Sequence, residues 1–171
     1  MSNSMVQLEV LSYVRFHFRN LTFIFIGKDI ANNDVGQQMD LIGALFDAVV
    51  IGDDAVVAHV LRLGADINGT AEDGKTALHA AAMSPEGEQV VPYLISKGAD
   101  VNARDNAGRS PLYVHAAQGR VYGVTCLLYN GADPSIRDNL DEAPLNAADL
   151  HGHSEVVTVL LAFGAAYTLV P

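Results

Sequence analysis

Four segments of the chain, LRLGADING, LISKGADVNA, LLYNGADPSI and LLAFGAAYT, align on Gly64, Gly98, Gly131 and Gly164. Those glycines are separated by 34, 33 and 33 residues. A second block recurs upstream of each: ALFDAVVIGD, TALHAAAMS, SPLYVHAAQGR and APLNAADLHGH. A period of this length constrains the fold more than any other feature. One unit is too small to bury an apolar face by itself, so successive units must stack and share one core.

Each unit reads as the same element. A turn rich in Gly and Asp leads into a short helix whose small residues (Ala80, Ala81, Ala116, Ala147, Ala148) permit close helix contact. A loop with Gly52, Gly87, Gly119 or Gly152 follows. The second helix carries apolar pairs such as Val56-Val57 and Val60-Leu61, or Val156-Val157 and Leu160-Leu161, a stripe at the helical period. The closing glycine falls where a left-handed cap is needed, and Asp, Asn and Gly make the turn into the next unit. The second unit holds one extra residue in MSPEGEQ, and Pro92 is expected in the first turn of its second helix, where no backbone bond is lost.

These blocks resemble the ankyrin repeat over about residues 39–167. The family pattern is Gly-x-Thr-Pro-Leu-His-x-Ala-Ala, then Gly-His, then Val-Val-x-Leu-Leu-Leu and Gly-Ala-Asp-Val-Asn. Thr76, Leu78 and His79 match it in the second unit, with Ala77 in place of proline. Ser110, Pro111, Leu112 and Tyr113 stand there in the third unit, and Ala143, Pro144, Leu145 and Asn146 in the fourth. Gly43-Ala44-Leu45-Phe46 in the first departs furthest. The implied fold is an all-α repeat solenoid, an ankyrin stack of helix–turn–helix units with hairpin-like turns. The resemblance also implies that Thr76 and His79 hydrogen-bond one another and nearby backbone, which makes His79 structural rather than a catalytic base.

Residues 1–38 do not repeat. VRFHFR and LTFIF alternate as a β-hairpin turning near Arg19-Asn20 would, while Val6, Val10, Tyr13 or Val14, and His17 fit a helical stripe. The strand reading is weakly favoured, and ANNDVGQQ reads as a polar linker into a repeat domain at 39–171. A cap on the first repeat, a dimerisation element and an over-extended start ahead of Met39 all remain open for this segment. The chain's end, AAYTLVP after Phe163, leaves an apolar surface where the stack closes or meets another subunit.

The resemblance implies a protein-binding surface made of turn tips and the exposed faces of the first helices. The matching tip positions are Glu72, Asp73 and Lys75, then Asn106, Ala107 and Arg109, then Asn139, Leu140 and Glu142. The helix positions are Met83 and Ser84, Ala117 and Gln118, Leu150 and His151. The first unit adds Met39, Asp40, Ile42, Val50 and Ile51 under a less certain alignment. Arg109, Leu140 and Met83 are the expected anchors, because interface energy concentrates in Arg and large apolar groups. As a surface residue Arg109 is expected to cost under ~0.5 kcal/mol of stability on truncation.

A formal net charge of −10 argues against nucleic acid or an anionic membrane as partner and favours a basic protein surface. The single cysteine, Cys126, excludes an intrachain disulfide framework and fits a reducing compartment. LTFIFIG behind Arg15 and Arg19 imitates an export signal but is short and lacks a cleavage site, so a cytoplasmic protein is expected, with export through an atypical signal the weaker alternative. No cofactor is expected. His151-x-His153 imitates a metal pair but lacks clustered third and fourth ligands, and no phosphate-binding glycine loop occurs. The expected function is a non-enzymatic interaction module that binds a partner protein, either as an adaptor that leaves the partner active or as an inhibitor that masks it, with a slight lean to masking. The alternative is a metal-binding or enzymatic protein using His151 and His153.

Overall fold

The close-packed alanines and the recurring leucine ridges produce paired helices. The computed structural model describes residues 35–165; the hairpin and helix readings before residue 35 and the tail after residue 165 lie outside the described residues. Among the described residues eight α-helices form four consecutive pairs. The first two pairs are α1 (Val35–Ile51) with α2 (Asp54–Arg62), and α3 (Ala77–Ala80) with α4 (Val91–Ser96). The last two are α5 (Pro111–Ala117) with α6 (Val121–Tyr129), and α7 (Pro144–Leu150) with α8 (Ser154–Ala162). No strand occurs among the described residues.

Helix α1 begins at Val35, so the last four residues of ANNDVGQQ are helical rather than linker. Gln is a good helix former, and the first turn of a helix leaves its N–H groups to water in any case, so polar composition there does not mark a boundary. In the second repeat the extra residue is taken up by 3₁₀ segments at Ala81–Met83 and Gly87–Val90. Ser84 fixes that loop: its hydroxyl donates to the Val50 carbonyl at 2.6 Å and accepts from the Gly87 N–H at 2.8 Å. Pro92 stands in the first turn of α4, as expected.

One leucine per repeat builds the inner core row. Leu45, Leu78, Leu112 and Leu145 are fully buried, and Val60, Leu94, Leu127 and Leu160 repeat the arrangement in the second helices. Burying each such leucine contributes roughly 1.5–3 kcal/mol. Each second helix ends in the same way. Gly64, Gly98, Gly131 and Gly164 take φ of 101°, 90°, 86° and 82°, and the following alanine returns its N–H to the carbonyl five residues back. That is the Schellman closure, and its left-handed residue explains the glycine at every period.

Neighbouring repeats are joined by side chains at the same register. The Asn68 amide donates to the Gly98 carbonyl at 3.1 Å while its oxygen accepts the Asp100 N–H at 2.8 Å. Asn102 does the same with Gly131 and Asp133 one repeat later. His79 donates from Nε2 to the Arg109 carbonyl at 3.0 Å, which leaves Nδ1 to accept from the Thr76 N–H at 3.1 Å and its hydroxyl at 2.9 Å. His79 is therefore a turn lock. His115 reaches back from the third repeat to the Leu78 carbonyl at 3.1 Å. Its Nδ1 is buried without a partner, against Gly123, where a Cβ would collide with the ring.

The repeats differ at the face that meets a following unit. Val49, Ala82 and Ala116 occupy equivalent positions and are buried in repeats one to three. The fourth repeat places Asp149 there, exposed.

Candidate protein-binding surface

The turn tips form a continuous ledge because each is hydrogen-bonded to the next. Each tip is first closed on itself: Ala71 N–H to the Lys75 carbonyl at 2.9 Å, Asp105 to Arg109 at 3.0 Å, and Asp138 to Glu142 at 2.9 Å. Asn106 then donates its backbone N–H to the Asp73 carbonyl and its side-chain amide to the Glu72 carbonyl, at 3.0 and 2.9 Å. Asn139 repeats this with Ala107 and Asn106, at 2.8 and 3.0 Å. The two asparagine side chains are thus committed to holding the ledge. Glu72, Asp73, Ala107 and Leu140 project from it, and Leu140 is 81% exposed.

The charged tip residues are partly occupied within the chain. Lys75 Nζ lies 2.6 Å from the Asp73 carboxylate, and that hydrogen bond holds Asp73 below the usual carboxylate range. Glu142 accepts a hydrogen bond from the Tyr113 hydroxyl at 3.1 Å. Burial first, then the nearby Asp138 and Glu142 carboxylates, push the Tyr113 phenol well up.

Arg109 differs most from its sequence expectation. Its guanidinium meets the buried Asp105 carboxylate through Nε at 2.8 Å and Nη2 at 2.7 Å. Asp105 also accepts the Ala107 and Arg109 backbone N–H groups. Burial alone would raise the Asp105 carboxyl, but the Arg109 hydrogen bonds and charge outweigh it and hold the carboxyl low. Arg109 is half-exposed and neutralises a buried acid, so it is not a free surface residue and its truncation is not near-neutral.

The first-helix ends form a second line. Val50, Met83, Ala117 and Leu150 are equivalent positions, and Ile51, Ser84, Gln118 and His151 follow them. Met83 and Leu150 are 59% and 74% exposed, Val50 and Ile51 are also exposed, and Ala117 is half-buried between them. Gln118 is exposed and Ser84 is spent on its loop. Ile42 is half-buried on α1, which also contains Met39 and Asp40. The Ser84–Val50 bond ties the ends of these two first helices together.

His151 and His153 have parallel rings 6.2 Å apart, and each already spends a nitrogen on backbone. His151 Nδ1 donates to the Ala147 carbonyl at 2.8 Å and His153 Nε2 to the Ala117 carbonyl at 3.1 Å. Among the described residues no group of three or more His, Cys, Asp or Glu is placed to hold a metal ion. Cys126 is half-buried against the core, and burial raises its thiol above the ordinary value. No helix among the described residues is long and apolar enough to cross a membrane.

Stacked helix pairs with Schellman ends, bonded tips and an exposed line of first-helix ends define an all-helical repeat solenoid. The family model for ankyrin repeats, in three copies, matches residues 45–138, more than half of the sequence, and the chain belongs to the ankyrin-repeat family. No curated protein matches the chain. Ankyrin repeats mediate protein–protein interaction and are typically non-enzymatic modules.

Proposed function

We propose that this chain binds one partner protein along the tip ledge and the first-helix ends, and masks the surface it covers. One observation carries the reading. The framework repeats as buried leucine and alanine, whereas the equivalent exposed positions carry different, mostly large apolar groups: Val50, Met83 and Leu150, with Leu140 on the neighbouring tip. Exposed apolar groups in a row on a polar surface favour a partner that buries them.

The partner's contacting surface is basic. Residues 35–165 contain 17 Asp or Glu and 7 Lys or Arg, which accounts for the whole net charge of −10. On the ledge Lys75 and Arg109 are already paired with Asp73 and Asp105. Glu72 and Glu142 remain to steer a cationic surface, so association slows as salt rises. A metal role for His151 and His153 draws no support from the geometry: each ring already spends one nitrogen on backbone, and among the described residues no third ligand group stands with them. The free thiol of Cys126 suits a reducing compartment such as the cytoplasm.

The test is affinity capture from the source organism with wild type and a folded Met83→Ala/Leu140→Ala/Leu150→Ala variant. A protein held by wild type and lost at least tenfold by the variant is expected, and its own activity is then assayed with and without the chain. Equal retention by both would remove the ledge and helix ends as the site.

A further inference from the structure

Asparagine precedes glycine twice in the chain, at Asn68-Gly69 and Asn130-Gly131. The pairing is chemically labile, because no side chain beside a glycine nitrogen hinders its attack on the preceding amide carbon. The next repeat holds the same arrangement as Asn68 without the glycine. Asn68 and Asn102 each bond their own N–H to the aspartate two residues earlier, at 2.9 Å, and each spans a repeat junction through its side chain. What differs is the following residue, Gly69 against Ala103. Packing dictates that glycine. A Cβ on residue 69 would stand 2.9 Å from Ile42 Cγ1 and 3.1 Å from the Asp66 carbonyl oxygen, so α1 fills the space a side chain needs.

The two Asn-Gly pairs are not equally guarded. Asn68 is exposed, and the Gly69 N–H closes a turn on the Asp66 carbonyl at 3.0 Å. Opening that turn and the two side-chain bonds to repeat two frees the reacting groups without unwinding a helix. At the other pair the Gly131 N–H bonds to the Leu128 carbonyl at 3.2 Å and the Asn130 amide to the Cys126 carbonyl at 2.7 Å. Both bonds belong to the closure of α6, so reaction there must unwind a turn that carries the buried Leu127 and Leu128.

We propose that Asn68 is a site of spontaneous modification, where conversion to aspartate and isoaspartate loosens repeat one from repeat two. The deprotonated Gly69 nitrogen attacks the Asn68 side-chain carbon, a step favoured because the two groups are neighbours in the chain. The bond to the amide nitrogen breaks and ammonia leaves, which closes a five-membered imide. Water then opens the ring, giving aspartate when the new bond breaks and isoaspartate when the original peptide bond breaks. The net change is one water taken up and one ammonia released, with no oxidation or reduction. The product carboxylate still accepts the Asp100 N–H but has no proton to offer the Gly98 carbonyl, so that bond becomes an oxygen–oxygen repulsion. Isoaspartate also lengthens the backbone by one carbon and breaks the register of the turn.

The purified full chain, aged at neutral and at alkaline pH, tests this when its peptides are followed by mass spectrometry for exchange of NH2 for OH at each asparagine. Conversion at Asn68 is expected at least tenfold faster than at Asn102 or Asn130, with both products present. It is expected to accelerate with pH, because the attacking nitrogen must be deprotonated. Asn68→Asp, which is one of the two products, is expected to lower the urea midpoint of unfolding. Conversion at Asn102 or Asn130 as fast as at Asn68, or a rate at Asn68 indifferent to pH, would overturn the proposal. So would an Asn68 that stays intact in the folded chain while it converts in the urea-unfolded chain. A midpoint unmoved by Asn68→Asp would overturn the loosening of the junction.

Discussion

The contrast between His79 and Arg109 shows what single residues can reveal. His79 sits in a Thr-x-x-His spacing whose geometry is local, and its bonds to Thr76 are those the motif implies. Arg109 is one residue from a helix cap and looks like a free tip cation in sequence. Its partner Asp105 lies four positions back across a hairpin-like turn, so only the folded turn shows that they meet. Arg109→Ala would leave the Asp105 carboxylate with two backbone N–H donors and no counter-charge. Because the guanidinium is half-exposed and water can partly replace it, we expect a loss of about 1–3 kcal/mol rather than a neutral change. Urea denaturation of Arg109→Ala beside Arg109→Lys decides the matter; a midpoint unmoved by Arg109→Ala would mean that Asp105 needs no counter-charge. At the fourth tip Asp141 takes φ 65°, where the second and third repeats use Gly74 and Gly108 at 79°. No sequence signal marks that residue beyond its alignment with glycine.

Helices were legible to within a turn wherever their signals were local. Asp53 caps α2 by accepting the Ala55 N–H at 2.8 Å, and Ser110 caps α5 through the Tyr113 N–H at 3.2 Å. Helix α6 lacks such a signal, because Arg120 precedes it and carries no acceptor in its side chain. The acceptor comes from the previous repeat: Glu88 Oε2 takes the Gly123 N–H at 3.1 Å. That cap is 35 residues away in sequence, beyond any local pattern. Glu88→Ala should therefore cost about 0.5–2 kcal/mol, in the range of a lost N-cap. Glu88→Gln, which keeps an acceptor at the same reach, should recover most of it. Equal losses in the two variants, measured by thermal unfolding, would assign the effect to charge rather than to capping.

Across the whole molecule the period settled the architecture, since four recurring leucines can be buried together only by stacking. What the period could not show is how unequal the junctions are. Repeats two and three are joined by two imidazoles that must stay neutral: His79 accepts at Nδ1, and His115 has no acceptor for a second proton. Burial pushes both down, His115 to about 4. In the unfolded chain both titrate near about 6.5. Below that pH the unfolded state takes up protons that the folded state refuses, so stability is full above about 6.5 and falls as pH drops towards 4. The depressed Asp105 carboxyl contributes with the same sign, but its share is lost only at lower pH, as that group itself protonates. Urea midpoints between about pH 7 and pH 4.5 should decline, with a shallower slope for His115→Gln, which retains a donor towards the Leu78 carbonyl. Identical slopes would place the proton uptake on other groups.

A stack of interchangeable units grows like a linear polymer, since each added unit offers the next one the same landing surface. Asp149 changes that surface at one end. Another unit laid over it would have to strip water from a carboxylate where Val49, Ala82 and Ala116 present only hydrocarbon, a penalty of several kcal/mol against a marginal gain per unit. Asp149 thus gives the face beyond repeat four a chemistry that the three inner junctions do not share: a hydrated carboxylate in a place where they present hydrocarbon.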